Sequence, residues 1–405
     1  QDKTRICSFA EGFRYLGYLF VNDLALDVGG EKAPSFAAQV PPESWLAQVE
    51  TQKQKTAEKA LEKKTGIAIG EREQQQALDL VLCGEKALLS THEARLYIQQ
   101  GEAEKNSIPW SHLRSILLFG QHHITTPALK AAFKHHVAIH YASGNGIYQG
   151  MSSSAHTQHQ HSELWLMQQL CFQNEQTSLA AACSIVAARL RHQAEVLRVR
   201  QKQSEFTQAI QQLQNLVNKT RNAQDKTQLN GYEGKGASIY FQSLQTLIPE
   251  AFGFTGRNRR PPRDPFNVLL SMGYTSLYNH VQSLCYAAGL SPWTGVYHQP
   301  HGEHAVLASD LMEPFRHIIE RTALSSIMLK QIKLADFKES AEGCFMNTQT
   351  RKTWLALLHK NFDKTFKARG ETEARNLYQH IQAQNQQLIL WIRGEKPSFQ
   401  AWRLR

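Results

Sequence analysis

Paired cysteines are missing from this sequence. Its six cysteines, Cys7, Cys83, Cys171, Cys183, Cys285 and Cys344, form no C-x-x-C pair. That argues against a zinc ribbon and against a disulfide framework. Most sit in apolar runs, as expected of reduced, buried thiols in a cytoplasmic protein. Long hydrophobic runs are missing too. No stretch is long enough to span a bilayer, and the start lacks the basic and apolar regions of a signal peptide. No internal repeat is evident. Acid is in deficit, with 35 Asp and Glu against 45 Lys and Arg in 405 residues, a formal net charge of +10. That balance either favours a polyanionic partner, nucleic acid before a membrane surface, or marks only a basic soluble protein. The 41% apolar and 20% charged fractions are those of globular material, long enough here for two or three domains. The chain opens on Gln1 rather than Met, and a fragment is expected.

Four regions follow from patterning. Residues 1–28 are rich in aromatic and branched side chains and read as two short strands joined by a turn, too little to stand as a domain. Residues 29–76 carry Pro34, Pro41 and Pro42 and then a run dense in Lys, Glu and Gln, the composition of a solvated, partly helical linker. Residues 77–152 alternate strand-length apolar runs with Gly and Asn turns, predicting a β-rich domain. It has one helix after Thr126-Pro127, capped by Thr125 or Thr126, and a hairpin turn at Ser143-Gly-Asn-Gly146. Residues 153–405 open on a polar connector, where His156, His159 and His161 lack the Cys or carboxylate partners of a metal site and read as a solvated linker. Helical periods then dominate to the end of the chain. They predict helices at Thr177–Lys202, Ser204–Lys226 and Asn230–Ile248, and a long one from an Asp264 N-cap to Ala288. The predicted fold class is α+β, a β-rich domain followed by an all-α one.

Chemistry concentrates between Gly289 and Arg316. His298 ends the turn Gly289-Leu-Ser-Pro-Trp-Thr-Gly-Val-Tyr-His298, and a predicted helix soon after carries Asp310 and Glu313 on one face. The acids have two readings. They complement the dipole of a helix start that Ser309 caps, or they join His298 as ligands of a divalent cation, with Arg316 available to a phosphate. Upstream, Glu233 is either the third residue of a capping box with Asn230 or a site residue. In favour of a site, Glu233-Gly-Lys-Gly-Ala places two glycines in a helix, at a cost of about 1 kcal/mol each relative to Ala. Small residues there admit a backbone or phosphate, and Lys235 adds charge. The loop holding Arg257, Arg259, Arg260 and Arg263, and the arginine face of the Thr177–Lys202 helix, which includes Arg189, are either phosphate contacts or solvated basic surface. Tyr240, Tyr274 and Tyr278 fall at helical spacings and belong to a core, while Asn267 and Arg316 need partners if buried.

Four blocks in order carry a resemblance: Glu233-Gly-Lys-Gly-Ala-Ser-Ile-Tyr-Phe241, Arg260-Pro-Pro-Arg-Asp-Pro-Phe-Asn267 running on to Tyr274 and Tyr278, Gly289 to His298, and Asp310-Leu-Met-Glu-Pro-Phe-Arg316. The β-rich part adds Ile116-Leu-Leu-Phe-Gly120, Ile124-Thr-Thr-Pro-Ala128 and Gly144-Asn-Gly146. From about Ala77 onward the chain resembles the CRISPR-associated protein one family, the integrase and endonuclease of spacer acquisition. The resemblance implies an N-terminal β domain and a helical catalytic domain working as a homodimer, with a dimer of CRISPR-associated protein two as a partner. It implies double-stranded DNA as substrate, both prespacer and leader-repeat, and Mg²⁺ or Mn²⁺ as cofactor. It puts metal ligands at Glu233, His298 and Glu313, with Asp310 as the auxiliary catalytic acid. DNA contacts are then expected from Lys235, Arg189, Arg257, Arg259, Arg260, Arg263 and Arg316.

Gly12-Phe-Arg-Tyr-Leu-Gly-Tyr-Leu-Phe20 is similar to the strand pair that follows the palm motifs of intron-like reverse transcriptases, which implies that residues 1–28 are the tail of such a domain. The Tyr-x-Asp-Asp polymerase motif is absent, so no polymerase activity is expected of these residues. Two alternatives stand beside the integrase: a non-catalytic DNA-binding scaffold that docks a reverse transcriptase and other CRISPR proteins, and a mobile-element integrase of the same family.

Overall fold

The structure, a computed structural model, describes residues 78–101, 105–201, 204–258, 261–299 and 302–404, together with the backbone of 13–15, 18–21 and 24–27. The chain divides into two compact units, Gln1–Glu73 and Gln74–Arg405. In the first, β1 (Phe13–Tyr15), β2 (Tyr18–Val21) and β3 (Leu24–Asp27) form an antiparallel sheet in that order. Three strands stand where two were predicted, because the Leu24–Asp27 run also pairs, Leu26 opposite Leu19. The linker predicted for 29–76 lies outside the described residues.

The second unit begins with two four-stranded sheets. One runs β11 (Tyr148–Ser152), β10 (Ala138–Ala142), β8 (Leu113–Phe119), β4 (Leu78–Leu82). The other runs β7 (Asn106–Pro109), β6 (Arg95–Gln100), β5 (Ala87–His92), β9 (His123–Ile124). Helix α1 (Thr126–Lys134) starts on a Thr125 side chain that accepts from the Ala128 amide, with Pro127 in its first turn. Strand β8 explains how the β-rich part joins the rest. Successive side chains point to opposite faces. Ile116 and Leu118 enter a core with Leu89, Leu96, Trp110 and Ile139. Leu117 and Phe119 enter a second core built mainly by helices. A strand covered on both faces reads as an unbroken apolar run, as Leu113–Phe119 does.

Helix α2 (Ala155–Gln173) begins on Ser154, whose hydroxyl accepts from the Thr157 amide. The predicted His-rich connector is therefore the first turns of a helix: a local cap outweighs the polar composition that suggested a linker. Helix α3 (Glu175–Arg200) is the axis of the helical part and packs against α4 (Thr207–Thr220) and α5 (Lys226–Gln245). Ala181, Ala182, Ile185, Val186, Ala188, Leu190 and Leu197 bury it nearly all round, as a central helix requires. Helix α6 (Pro265–Ala287) starts on the Asp264 cap and lies across β8, β10 and β11.

Next come α7 (Val306–Met312), a 3₁₀ turn at Glu313–Phe315, and α8 (Arg316–Met328). Pro314 lacks the amide that a continuous helix would use, so the chain tightens there. The hairpin β12 (Phe337–Ser340) and β13 (Gly343–Met346) interrupts the helices, a departure from an all-α domain. Helices α9 (Thr348–Asp363) and α10 (Leu377–Ile392) complete the described part. No described helix is long and apolar enough to cross a membrane.

The α3–α5 crossing depends on Gly236. A Cβ there would come 2.1 Å from Cδ2 of Leu190, which is wholly buried and cannot swing away. Gly234 faces open space. In thermal unfolding, Gly236→Ala should therefore lose about 1–3 kcal/mol by overpacking. Gly234→Ala should gain about 0.5–1 kcal/mol from helix propensity. Equal effects at the two positions would contradict the close crossing.

Candidate active site

Five segments converge beside α3. The middle of α5 presents Glu233, the loop after α6 presents Tyr297 and His298, α7 presents Asp310, the 3₁₀ turn presents Glu313, and α8 presents Arg316 and Glu320. The real helix starts remove the capping alternatives. Helix α5 is capped by Asp225, whose carboxylate accepts from the Gln228 amide at 2.7 Å, so Glu233 lies well inside the helix and closes no capping box with Asn230. Helix α7 starts at Ala305 with no side-chain cap. Asp310 is thus past the first turn and Glu313 sits at the break before Pro314.

Asp310 is fully buried and its carboxylate is saturated by one loop. Oδ2 accepts from the Val296 and Tyr297 amides at 2.7 and 3.0 Å, and Oδ1 from the His298 amide at 2.9 Å. Oδ1 also lies 2.7 Å from His298 Nδ1. Gly295 makes this possible, since a Cβ there would sit 2.6 Å from Asp310 Oδ2. The same loop is tied down from outside. Buried Gln168 donates to the carbonyls of Ser291 and Thr294, both at 2.8 Å, and accepts from the Ser291 amide. Ser178 donates to the Val296 carbonyl at 3.0 Å, and Trp165 donates to the Gly289 carbonyl at 2.9 Å. The pattern fixes His298 by Nδ1 and leaves its other ring nitrogen to the site. Removing the Asp310 carboxylate would strand three loop amides, at a cost of about 1–3 kcal/mol for each buried one.

A second group of charges backs the site. Glu320, buried, pairs with Arg189 and accepts from Tyr240 at 2.8 Å and Tyr274 at 2.6 Å. Arg189 Nε also lies 3.7 Å from Glu313 Oε2. Arg316 Nη2 lies 2.9 Å from Glu313 Oε1 and its guanidinium stands over the Tyr274 ring. Burial opposes the charge on Glu320, but Arg189 and the three hydrogen bonds outweigh it and hold the carboxyl below its usual value. Burial likewise opposes the charge on Arg189, and the neighbouring carboxylates keep it cationic. Glu313 goes the other way. Burial and the Glu233 charge push its carboxyl up, while Arg316, Arg189 and His298 pull it back. Burial alone would lower the His298 ring, yet the Asp310 hydrogen bond and charge, with Glu313 and Glu233, raise it. Tyr297 donates to Glu233 Oε2 at 2.7 Å, and burial followed by the Glu233 charge raises its hydroxyl.

The structure thus brings together Glu233, His298, Asp310, Glu313 and Arg316. Lys235 is exposed two residues from Glu233 on α5. Arg189 corrects an expectation: it lies inside, 4% exposed, and neutralises Glu320 and Glu313 instead of meeting a phosphate backbone. Arg257 is drawn into its own loop, donating to Asn267 at 2.7 Å and Ser271 at 3.2 Å. Asn267, buried, gains the partners it needs, including Gly256 and Asp264. Arg263 is exposed, and Arg259 and Arg260 lie outside the described residues. Sequence reasoning missed Tyr297, Gly295, Gln168 and Glu320. Tyr297 and Gly295 lie in the quoted turn beside His298, but nothing in the sequence linked them to Glu233 or Asp310.

Glu233, His298 and Glu313 are an oxygen and nitrogen donor set that suits magnesium or manganese. Both buried Glu313 oxygens accept no aligned hydrogen bond, which leaves them to a cation. His298 backed by Asp310 is the arrangement that orients a metal-binding imidazole. As they stand, among the described residues no three His, Cys, Asp or Glu side chains form a closed cation cage. Glu233 is turned to Tyr297 and Glu313 to Arg316. The donor chemistry fits, and those two contacts are what a cation would compete with.

The sequence matches the family model described as CRISPR associated protein Cas1 over residues 80–360. It is 32% identical over 233 residues to CRISPR-associated endonuclease Cas1 3 of Thermus thermophilus, covering 57% of this chain and 68% of that one. It is 30% identical to the CRISPR-associated exonuclease Cas4/endonuclease Cas1 fusion of Geobacter sulfurreducens, covering 70% of this chain and only 53% of the fusion, about half its length. A chain in a solved structure titled a partial Cas6-RT-Cas1–Cas2 complex matches with a TM-score of 0.73 and 32% identity, over 81% of this chain and 99% of that chain.

The raised His298 ring has a readable consequence. Its protonation midpoint, followed by NMR in metal-free protein, should lie above the ordinary histidine value near 6.5 and fall in Asp310→Asn. The same midpoint in both proteins would contradict the pairing. Since the folded value is the raised one, the stabilisation is complete below pH about 6.5 and is lost as pH rises through the folded value.

Proposed function

The chain belongs to the CRISPR-associated Cas1 family of endonucleases and integrases, and we propose that it joins the 3′-hydroxyl ends of prespacer DNA to the leader-repeat of a CRISPR array, in a metal-dependent strand transfer. The observation that carries this reading is the gathering of Glu233, His298 and Glu313 with Asp310 behind the histidine. Strand transfer is an in-line attack of a hydroxyl on a phosphodiester, so charge builds on the phosphorus oxygens and on the leaving oxygen. A Mg²⁺ or Mn²⁺ ion held by Glu233, His298 and Glu313 would supply the Lewis acidity for that charge. Asp310 is a positioning residue: it fixes the imidazole through Nδ1 and never meets the substrate. Tyr297 holds Glu233 in place, and Arg189 and Glu320 hold the potential around Glu313. Arg316, at the edge of the site, is suited to a phosphate once Glu313 turns to a cation. Arg263 and Lys235 are suited to backbone phosphates.

In the cell we place the protein in the cytoplasm, as a homodimer with the Cas2 dimer as partner, acting in antiviral defence. Residues 1–28 are read as the end of a reverse-transcriptase domain, a setting supported by the match to a chain of a complex that contains reverse transcriptase, Cas1 and Cas2.

The test is joining of a short duplex to a supercoiled plasmid carrying leader and repeat, with manganese present. Glu313→Ala should lower joining by about 100-fold or more, the scale on which losing one transition-state stabiliser acts. Asp310→Asn should cost about 10- to 100-fold and recover in part at raised manganese, as a partner behind a metal-binding residue does. Full manganese-dependent joining by Glu313→Ala would overturn the reading.

A further inference from the structure

On the other side of α3 lies a half-open cavity of about 660 Å³ that none of Glu233, His298, Asp310 or Glu313 lines. Arg189 and Arg191 are two residues apart, so they leave the helix about 200° apart. Arg189 turns to Glu313 and Glu320, whereas Arg191 turns into this cavity. Four further arginines meet it there: Arg198 from α3, Arg221 just past α4, and Arg369 and Arg403 from the C-terminal segments. A single acid lines the cavity among the described residues, Glu195, and Arg198 is paired with it.

The arginines are held together by the fold. The Arg369 amide donates to the Arg403 carbonyl at 3.1 Å, and the next amide, that of Leu404, donates to buried His192 at 2.9 Å. Nη1 of Arg191 and Nε of Arg403 are buried and have no hydrogen-bond partner. Buried polar groups are normally satisfied, and leaving such a donor unmet costs stability. Burial, and then the charges of Arg403, Arg221 and Arg369, bring the Arg191 guanidinium down to about 10, so it is still charged at neutral pH but unfavourably so. Burial followed by Arg369 and Arg221 lowers Arg403 as well. A fold that fixes like charges around a hollow, with donors left open, is arranged for an anion.

We propose that this cavity is a second anion site that takes adjacent phosphate groups, those of a nucleotide or of a phosphorylated nucleic-acid end. Planar guanidinium groups match phosphate oxygens two at a time, and several converge here. The volume lies in the range of about 300–1,000 Å³ typical of small-ligand pockets, which suits a nucleotide-sized group and not a duplex. An adjoining hollow of about 660 Å³ shares Arg191, Arg221 and Arg403, so a chain of phosphates has room to continue. The site does not rest on the catalytic reading.

The test is calorimetric titration of the full chain, in metal-free chloride buffer, with tripolyphosphate, with a nucleoside triphosphate and with a 5′-phosphorylated single-stranded oligonucleotide. One site per chain is expected. Arg191→Gln and Arg403→Gln should each weaken binding about tenfold or more, the effect of losing one charge-assisted contact. Glu313→Gln should leave it within twofold. Tighter binding of the oligonucleotide assigns the site to a strand end, and tighter binding of the triphosphate assigns it to a free nucleotide. Absence of binding, binding unchanged in both arginine variants, or binding lost in Glu313→Gln overturns the proposal. If the variants fail to fold, the wild-type chain still decides. Tripolyphosphate should protect Arg191 and Arg403 from phenylglyoxal, and unchanged modification of both contradicts the site.

Discussion

A carboxylate sealed from water must be met by donors, and Asp310 takes all of its own from one loop. Three consecutive amides, from Val296, Tyr297 and His298, and the His298 ring close on it. No side chain on residue 295 would fit between that loop and the acid. The loop therefore has one conformation that satisfies Asp310, and that conformation aims His298 at Glu313 and Tyr297 at Glu233. The rest of the helical part serves this closure. Gln168 and Ser178 hold the back of the loop, and the chain tightens into a 3₁₀ turn at Glu313–Phe315 before α8.

The charges behind the site work as a unit. Glu320, Arg189, Glu313 and Arg316 alternate in sign through the interior. Burying an isolated ion is costly, and removing one partner of a buried pair leaves the other uncompensated. Two tyrosines complete Glu320, so the Arg189–Glu320 pair stands fully satisfied on the glutamate side. Glu313 is held by ion pairs without aligned hydrogen bonds, and its carboxyl is pushed up by burial. One buried acid is finished structurally and the other is left without aligned donors.

Much of this was legible in the sequence, for identifiable reasons. Caps at Thr125 and Asp264 act through one side chain and a near amide, so local reading finds them. Strand-length apolar runs broken by Gly and Asn turns located the β-rich part, and the family-like blocks drew attention to Glu233, His298, Asp310 and Glu313. What could not be read depends on contacts between distant residues. Arg189 looked like part of a basic helix face because its partners Glu313 and Glu320 are more than a hundred residues away. The α5 start was placed at Asn230 because a capping box is plausible there, while the Asp225 carboxylate, which accepts from the Gln228 amide, caps the helix one turn earlier. Gly236 is kept small by Leu190, a packing demand that glycine content alone does not reveal. The arginine cavity adds Arg221, Arg369 and Arg403, from three distant segments, to Arg191 and Arg198 of α3, and only the arginines of that helix stand out along the chain.

The central claim is that Asp310 directs the ring of His298, while Glu233, His298 and Glu313 face the cation. It is tested most directly by anomalous diffraction from crystals of the protein grown with manganese. The account predicts one peak bound by the two glutamates and by His298 Nε2, with Asp310 still on Nδ1. A peak bound directly by Asp310, or a site filled without His298, would contradict it.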